Sequence, residues 1–529
     1  MSGLARPIFL SGPMGAGKTT VGRLVSARLG APFVDLDAAI EARHGTSVRA
    51  IFASRGEASF RALERARALE VASETPSVIA LGGGTVIDRV TRRALLERGP
   101  IVTLMASPAA LAARVGNDRG RPLLDGEDAA TVLARLLEQR AAAYAECSAT
   151  LDAEHASPET LAAQVIAVAA EDALVVPLGT RSYGVHVGHG VRARLSTLLA
   201  RERRPSSVLV VTDENAPHAG LPLPEPSDVL VLPAGEAHKT LASVEAIWDR
   251  ALARGADRDA LILAVGGGVI GDLAGFAAAT LLRGVRFAQL PTTLLAMVDA
   301  SVGGKTGFDR PEGKNLVGAF HQPRFVLADL DALATLPPAE RTSGLAEVIK
   351  SAWLEGEHDV AALERDIDAL VAGSGPAHGH ALEHAVRRAI RTKIRVVSDD
   401  EHETGARAHL NLGHTIGHAI EAESGYAMRH GDCVALGLVA AMRVGVALGD
   451  ATPSDLQRMT ALLTRAGLPT ALDRHLGPGV LGRLGADKKR AGDRVRFVVP
   501  GAPGRVRLES MEFQRIRALV SDNLASTPD

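Results

Sequence analysis

Along residues 1–171, short apolar runs at 7–10, 32–36, 77–81 and 101–105 alternate with stretches in which apolar side chains recur every three or four positions. Apolar runs without polar alternation predict strands buried on both faces, and the intervals, 19–29 and 158–170 among them, predict helices. Together they predict a parallel α/β layer structure. The pattern restarts after residue 171, where Val175-Val176 and 183–187 look like strands and 207–212, 229–232, 260–265 and 287–290 predict a second buried sheet. Beyond residue 329 the periodicity is mostly helical. Pro337-Pro338 and the glycines between 373 and 379 interrupt it, and 495–499 with 505–508 predicts a late hairpin. The expected organisation is α/β over 1–171, α/β over 172–328 and mainly helical over 329–529, in keeping with the roughly three domains that 529 residues suggest.

Composition changes this picture little. Hydrophobic residues at 46% and charged residues at 23% are those of an ordinary globular chain rather than a disordered one. Lys plus Arg number 59 against 61 for Asp plus Glu, so neither nucleic acid nor an anionic membrane is an expected partner. The only cysteines, Cys147 and Cys433, fit a reducing compartment and argue against a multi-cysteine zinc site. The first residues show no basic stretch leading into an apolar run, so no export signal is expected and the cytoplasm is the expected address. The apolar segment 261–282 carries glycines at 266–268, Gly271, Asp272 and Gly275, which suits a buried strand, turn and helix better than a membrane span.

Chemistry begins where the strand at 7–10 gives way to the helix at 19–29. Gly12-Pro-Met-Gly15-Ala16-Gly17-Lys18-Thr19-Thr20 satisfies G-x-x-x-x-G-K-[ST] in the strand-to-helix context this loop requires. Backbone N–H groups and the helix N-terminus would close around the phosphates of ATP, Lys18 would bridge the β and γ phosphates, and Thr19 would hold Mg²⁺. A glycine-rich turn with a solvated lysine is the bland alternative, and the flanking elements count against it. Asp35 and Asp37 close the second strand, where carboxylates cap helices as readily as they bind ligands. Phe60-Arg61-Ala-Leu-Glu64, Gly82-Gly83-Gly84, Arg119-Gly-Arg121-Pro-Leu-Leu and Arg140, four residues before Tyr144, follow.

In that order these elements resemble a shikimate kinase along residues 1 to about 170. The resemblance implies that Asp37, Arg61, Gly83 and Arg140 bind shikimate, that Asp35 joins the Mg²⁺ shell and that Arg121 closes a lid over ATP. The chemistry agrees: a small carboxylate calls for guanidinium forks, and Asp37 suits the task of orienting or deprotonating the attacking hydroxyl. Without the motif, Arg61 and Arg140 would read as a solvated helix face.

A second glycine triplet, at 266–268, precedes Val-Ile-Gly271-Asp272 after another buried strand. It is not the G-x-G-x-x-G fingerprint; either close approach to a pyrophosphate or a tight packing turn accounts for it. The flanks of the two triplets do not match, which argues against an internal duplication. Gly267, Gly268 and Asp272, with Asp213, Asn215, Glu236, Lys239, Thr292 and Thr293 after neighbouring strands, are candidates for a dinucleotide site. Asp299, Lys305, Lys314, Asn315, Glu347, Lys350, Lys393, Arg407, Asn411, His414, His418, His430 and Lys488-Lys489 then stand out as polar groups in apolar surroundings. So many cations imply an anionic substrate. His414 and His418, four apart, share one helix face at a common metal-pair spacing, with structural or solvated histidines as the competing view.

From residue 175 to about 510, Gly-Gly-Gly-Val-Ile-Gly-Asp-Leu-Ala-Gly-Phe, Leu282-Arg283-Gly-Val-Arg-Phe, Ser301-Val-Gly-Gly-Lys305-Thr-Gly, Gly344-Leu-Ala-Glu347-Val-Ile-Lys350 and Leu410-Asn-Leu-Gly-His-Thr-Ile-Gly-His are similar to the 3-dehydroquinate synthases. This resemblance implies a Rossmann-like NAD⁺-binding part and a helical part, with Zn²⁺ or Co²⁺ on Glu347, His414 and His430 and His418 left for the substrate. Lys305, Asn315 and one of Lys488 and Lys489 would hold the substrate phosphate, Lys393 and Arg407 would meet its carboxylate side, and Lys314, Asp299, Lys350 and Asn411 would line the same pocket. Arg283 would reach in from a neighbouring subunit, implying a homodimer. The implied reaction turns 3-deoxy-D-arabino-heptulosonate 7-phosphate into 3-dehydroquinate and phosphate, with NAD⁺ reduced and then reoxidised in each turnover. The rivals are another sugar-phosphate cyclase, a zinc polyol dehydrogenase that would release NADH, and a kinase half reduced to a non-catalytic module.

Overall fold

The first apolar run is β1 (Ile8–Ser11), buried at every residue. It lies at the centre of a sheet of order β2-β3-β1-β4-β5, with β2 (Phe33–Asp35), β3 (Val78–Ala80), β4 (Ile101–Met105) and β5 (Ala149–Asp152). All its pairings are parallel. Side chains alternate across the sheet, so Ile8 and Leu10 pack with Val21, Val25, Leu161 and Val165 on one face. Phe9 packs with Leu36, Ile40, Phe60 and Leu95 on the other. Both faces are therefore covered by helices, and truncation of Phe9 to Ala would cost about 3–5 kcal/mol.

This computed structural model describes residues 4–115, 128–202, 204–216, 218–486 and 494–521. The chain divides into two compact units, Met1–His186 and Val187–Asp529. The division falls after the expected boundary at residue 171, and 187–529 forms one unit. Between helix Pro158–Glu171 and the division come β6 (Leu174–Val176) and β7 (Tyr183–Gly188), paired antiparallel, with β7 running across it.

The second unit is built on β8 (Val208–Asp213), β9 (Ser227–Leu232), β10 (Leu261–Gly266), β11 (Arg286–Pro291) and a strand at Phe325–Asp329. These five are parallel neighbours. The segment 261–282 is β10 followed by helix Gly268–Thr280, as its composition predicts. The sequence pattern did not foretell the antiparallel hairpin of β12 (Lys305–Arg310) and β13 (Gly313–Phe320), which precedes the Phe325–Asp329 strand, β14. Its glycines and charges look like a loop, and its apolar residues Leu316, Val317 and Phe320 are exposed. Helices follow: Pro338–Glu355, Glu357–Ala372, Pro376–Asp399, His414–Glu423, His430–Ala447 and Pro453–Arg465. The late hairpin is β15 (Arg494–Pro500) with β16 (Val506–Glu512). Among the described residues His430–Ala447 alone is long and apolar enough to cross a membrane, and 72% of that helix is buried inside the protein.

Three of these helices touch through glycine. A Cβ on Gly431 would lie 1.9 Å from the Ser343 carbonyl oxygen, one on Gly437 would lie 1.9 Å from that of Gly413, and one on Gly417 would lie 2.8 Å from that of Cys433. Only a missing side chain permits such approach.

Candidate active sites

In the first unit the chemistry gathers at the C-terminal ends of β1, β2 and β3, where an open parallel sheet presents its ligands. Gly12 has φ +132°, and a Cβ there would meet the Leu104 carbonyl oxygen at 2.2 Å, so the loop can only be built with glycine at that position. Gly17, at φ 89°, caps helix Lys18–Leu29. Lys18 Nζ donates to the carbonyls of Gly12 at 2.9 Å and Pro13 at 3.0 Å, which folds its ammonium over the loop. Gly15 is half-buried and Ala16 buried, with Thr20 exposed on the first helical turn. Thr19 Oγ1 donates to Asp35 Oδ2 at 2.8 Å, while Asp35 also caps helix Leu36–His44. Both readings of Asp35, cap and metal-side carboxylate, are compatible with that position.

The first glycine triplet is the meeting point of the acceptor residues. Arg140 donates to the Gly83 carbonyl at 2.9 Å, beside the Tyr144 hydroxyl at 2.8 Å. A Cβ on Gly84 would strike the Arg61 guanidinium at 2.3 Å, and one on Gly82 would lie 3.2 Å from Asp37 Oδ1. Arg61 is held by Glu64 at 2.7 Å and by Glu57 at 3.1 Å. Asp37 opens to the cleft, yet the protein packed about it, then Glu64 and Asp35, push its carboxyl up to about 6. A carboxylate of that basicity is suited to take a proton from a hydroxyl near neutral pH. Glu64 is buried, accepts from Thr85 Oγ1 at 2.7 Å and steers Arg61; the motif contains it, but only the fold shows its task. Arg121 lies outside the described residues.

In the second unit Gly267 is the N-cap of the helix after β10. Protein atoms press on Gly271 (Gln289 at 2.8 Å) and Gly275 (Thr306 at 2.3 Å) more than on Gly267 and Gly268, whose nearest neighbours stand at 3.3 and 3.4 Å. Packing accounts for the former pair, and the latter sit less crowded at the helix N-terminus, where a phosphate could approach the backbone. Around it, Asp213 accepts from Asn215 N–H at 2.9 Å, and Thr293 Oγ1 accepts from Ala296 N–H at 3.1 Å, next to the buried Thr292. Lys239, also buried, donates at 2.6 Å to both Asp272 and Asn315.

Glu347 sits on helix Pro338–Glu355, buried to 2% exposure. Its Oε2 pairs with Lys350, one turn on, and its Oε1 has no hydrogen-bond partner. Facing that oxygen are Nε2 of His414 at 3.5 Å and Nε2 of His430 at 4.0 Å. One ligand atom from each of the three lies within 4.8 Å of the others. A buried carboxylate oxygen left without a donor, opposite two imidazole nitrogens, fits a divalent cation with open positions. Burial and the Lys350 ammonium hold His414 well below the usual histidine range, in the neutral form that ligates. His418 lies beside this group, its ring 5.1 Å from that of His414.

Family models match in the same order: shikimate kinase over residues 14–170, the 3-dehydroquinate synthase N-terminal part over 229–343 and its C-terminal part over 344–490. A 3-dehydroquinate synthase of Rhodospirillum rubrum is 46% identical over 366 residues, which cover 66% of this chain and 94% of that one. The chain belongs to the 3-dehydroquinate synthase family, joined to a shikimate kinase. Among solved structures, a 2-deoxy-scyllo-inosose synthase with carbaglucose-6-phosphate, NAD⁺ and Co²⁺ is 25% identical (TM-score 0.56, 64% of this chain and 97% of that one). The 2-epi-5-epi-valiolone synthase of Streptomyces hygroscopicus subsp. jinggangensis 5008, with NAD⁺ and Zn²⁺, is 27% identical (TM-score 0.57, 65% and 96%).

In the synthase half Lys393, Lys305 and Lys314 are each paired with a carboxylate. Lys393 reaches the backbone oxygen of Asp299 at 2.6 Å and also its carboxylate. Burial alone would raise Asp299, but Lys393 and Lys350 outweigh it and keep the acid ionised. Lys305 pairs with Glu403, which also accepts from Asn411 at 3.2 Å. Lys314 lies between Glu421 at 2.9 Å and Glu236 at 3.0 Å. Arg407, at 2% exposure, donates to the carbonyls of Glu401 and of Gly303, the latter at 3.0 Å. The loop behind it folds around Asp400, which accepts from the N–H groups of Thr404 (2.8 Å), Gly405 (2.6 Å) and Arg407 (3.0 Å). Arg283 is exposed on a turn at φ 68°, and no hydrogen bond or ion pair joins it to the described site residues. Lys488 and Lys489 lie outside the described residues. Asp400, Glu403 and Glu421 were not singled out from sequence. Glu403 and Glu421 meet their lysines 98 and 107 residues away, and no spacing rule spans that distance.

Proposed function

We propose that the kinase half transfers the γ-phosphoryl group of ATP to the 3-hydroxyl of shikimate, and that the synthase half closes 3-deoxy-D-arabino-heptulosonate 7-phosphate to 3-dehydroquinate with loss of phosphate, through the residues described above. In the kinase, Arg61 and Arg140 orient the shikimate carboxylate against the Gly82–Gly84 turn, and Asp37 takes the hydroxyl proton as oxygen attacks phosphorus. Lys18 and the loop N–H groups hold the phosphates, Thr19 and Asp35 serve Mg²⁺, and Arg121 covers ATP.

In the synthase, Glu347, His414 and His430 would hold zinc or cobalt, and the β10 turn with Asp213, Asn215, Glu236, Lys239, Asp272, Thr292 and Thr293 would hold NAD⁺. The two groups supply a Lewis acid and a reversible hydride acceptor. Lys305 and Asn315, with Lys488 or Lys489, bind the phosphate; Lys393 and Arg407 bind the carboxylate side; Lys350, Asn411 and His418 orient the hydroxyls. The unpartnered Oε1 of Glu347 is the observation that carries this reading. Exposed Arg283, on a backbone strained to positive φ, supports a homodimer in which it serves the neighbouring subunit's site. The cytoplasm is the proposed location.

The test is to follow phosphate release and product mass with NAD⁺, zinc and either 3-deoxy-D-arabino-heptulosonate 7-phosphate or sedoheptulose 7-phosphate. Dehydroquinate from the first alone, abolished by a chelator, is the expected result; turnover of only the second, or NADH accumulation, would overturn the substrate assignment.

A further inference from the structure

We propose that Glu421 is the positioning residue of the metal site: its carboxylate fixes which nitrogen of His430 faces Glu347 and His414, and it ties that imidazole to Lys314. The inference rests on the reading of Glu347, His414 and His430 as ligands.

Glu421 lies on helix His414–Glu423, one turn beyond His418, and is 5% exposed. Its two oxygens are divided between two partners. Oε2 meets Nδ1 of His430 at 3.3 Å, and Oε1 accepts from Lys314 Nζ at 2.9 Å. A ligating imidazole is neutral and carries one N–H; because an ionised carboxylate only accepts, Glu421 favours the form with that proton on Nδ1 and the lone pair on Nε2. That Nε2 is the atom 4.0 Å from the unpartnered Glu347 Oε1. For His414 the same task falls to a backbone carbonyl, since its Nδ1 meets Leu412 O at 3.2 Å. One ligand is thus oriented by the main chain, the other by a single replaceable side chain.

Glu421 is itself held. Lys314 also bonds Glu236 at 3.0 Å and lies over the Tyr426 ring at 4.5 Å, so it cannot swing away without losing three contacts. The chain Glu236, Lys314, Glu421, His430 therefore reaches from the proposed nucleotide site to the metal site. A rival use of the same atoms exists, because His418, Glu421 and His430 also bring one ligand atom each within 4.8 Å. In that arrangement Glu421 would bind the ion, His430 would turn its Nδ1 to it, and Glu347 Oε1 would stay buried without a partner.

Zinc affinity of the metal-free full-length chain, titrated against a chromogenic chelator, separates these cases. Glu421→Ala is expected to weaken zinc roughly 10- to 100-fold, the usual loss when the partner behind a metal-bound histidine is removed. Glu421→Gln is expected to recover part of that loss, because its amide oxygen still accepts from Nδ1–H. His430→Ala and Glu347→Gln are expected to lose more than either. Wild-type affinity in both Glu421 variants would overturn the proposal. So would a Glu421→Gln variant as damaged as His430→Ala while Glu347→Gln binds normally, since Glu421 would then be a ligand. If His430→Ala and Glu347→Gln both bind zinc normally, the metal site itself is wrong and the proposal falls with it. Circular dichroism checks folding of each variant; should Glu421→Ala not fold, Glu421→Gln decides, with a loss of about threefold or more supporting the role and no loss removing it.

Discussion

In the kinase cleft Arg140 rests on the Gly83 carbonyl, and burial, with Glu64 and Asp35 close by, pushes Asp37 up to about 6. In the synthase cleft Lys239, Lys305, Lys314, Lys350 and Lys393 each end on a carboxylate, mostly out of water. The first site leans largely on backbone carbonyls, and its carboxylates Asp35, Asp37 and Glu64 lie close together. The second arrives already neutralised. A buried ion pair costs much to break and little to keep, because losing one member strands the other, so the two clefts should respond differently to the same kind of substitution.

Glu347→Gln should show the largest effect, cutting synthase turnover roughly 10³-fold by losing several kcal/mol of Lewis-acid stabilisation, with kinase turnover in the same preparation unchanged. It should also lower the unfolding midpoint of the synthase half, since Lys350 is left unpaired at 2% exposure. A fall in both activities would break the comparison. Lys18→Ala is expected to reduce ATP-dependent phosphorylation of shikimate by about 10²–10³-fold while moving the unfolding transition of the kinase half little, because the contacts of its ammonium include the loop carbonyls of Gly12 and Pro13 rather than a packed core.

Asp400→Asn tests the paired cleft more gently. Burial would raise that carboxyl, but the N–H groups of Arg407, Thr404 and Gly405 hold it below the usual range. Its contribution is complete above the unfolded value near 4 and is lost as pH falls through the lower folded value. The variant should be less stable by about 1–3 kcal/mol at pH 7 in urea unfolding, with a higher KM as Arg407 loosens, and the gap should close below about pH 4. For Asp37 the sign is opposite: its raised value means that protonation begins near pH 6, so kcat/KM for shikimate should fall about tenfold per unit below that pH. Asp37→Asn should remove this limb and slightly raise the melting temperature of the kinase half at pH 7.5, a gain that vanishes towards pH 4.

Much of the scaffold was legible because β1, β4 and β10 are mostly apolar runs with glycine nearby, and a run buried on both faces leaves few alternatives. The hairpin β12–β13 escaped because strand pairing there is made by backbone, while its glycines and charges dilute the apolar pattern and Leu316, Val317 and Phe320 are left exposed. Of the site, the cations were visible and their counter-ions were not. Helical spacing correctly placed His414 and His418 side by side, yet spacing says nothing about where each nitrogen points, and only the fold sets Nε2 of His430 towards Glu347. Asp400 looks like one more surface acid until its three N–H donors are seen.

The glycine contacts among the helices of Glu347, His414 and His430 give the proposed metal cradle a ruler. Where side chains separate two helices, the gap can breathe as rotamers change; where peptide meets peptide, as at Gly431 on Ser343 and Gly437 on Gly413, it is fixed by atomic radii. The distances among the three proposed ligands are thus set by backbone packed against backbone, and drift at the protein surface has little means of reaching them. Such a spacing admits no small adjustments: the first methyl group added at either glycine would force the helix backbones apart.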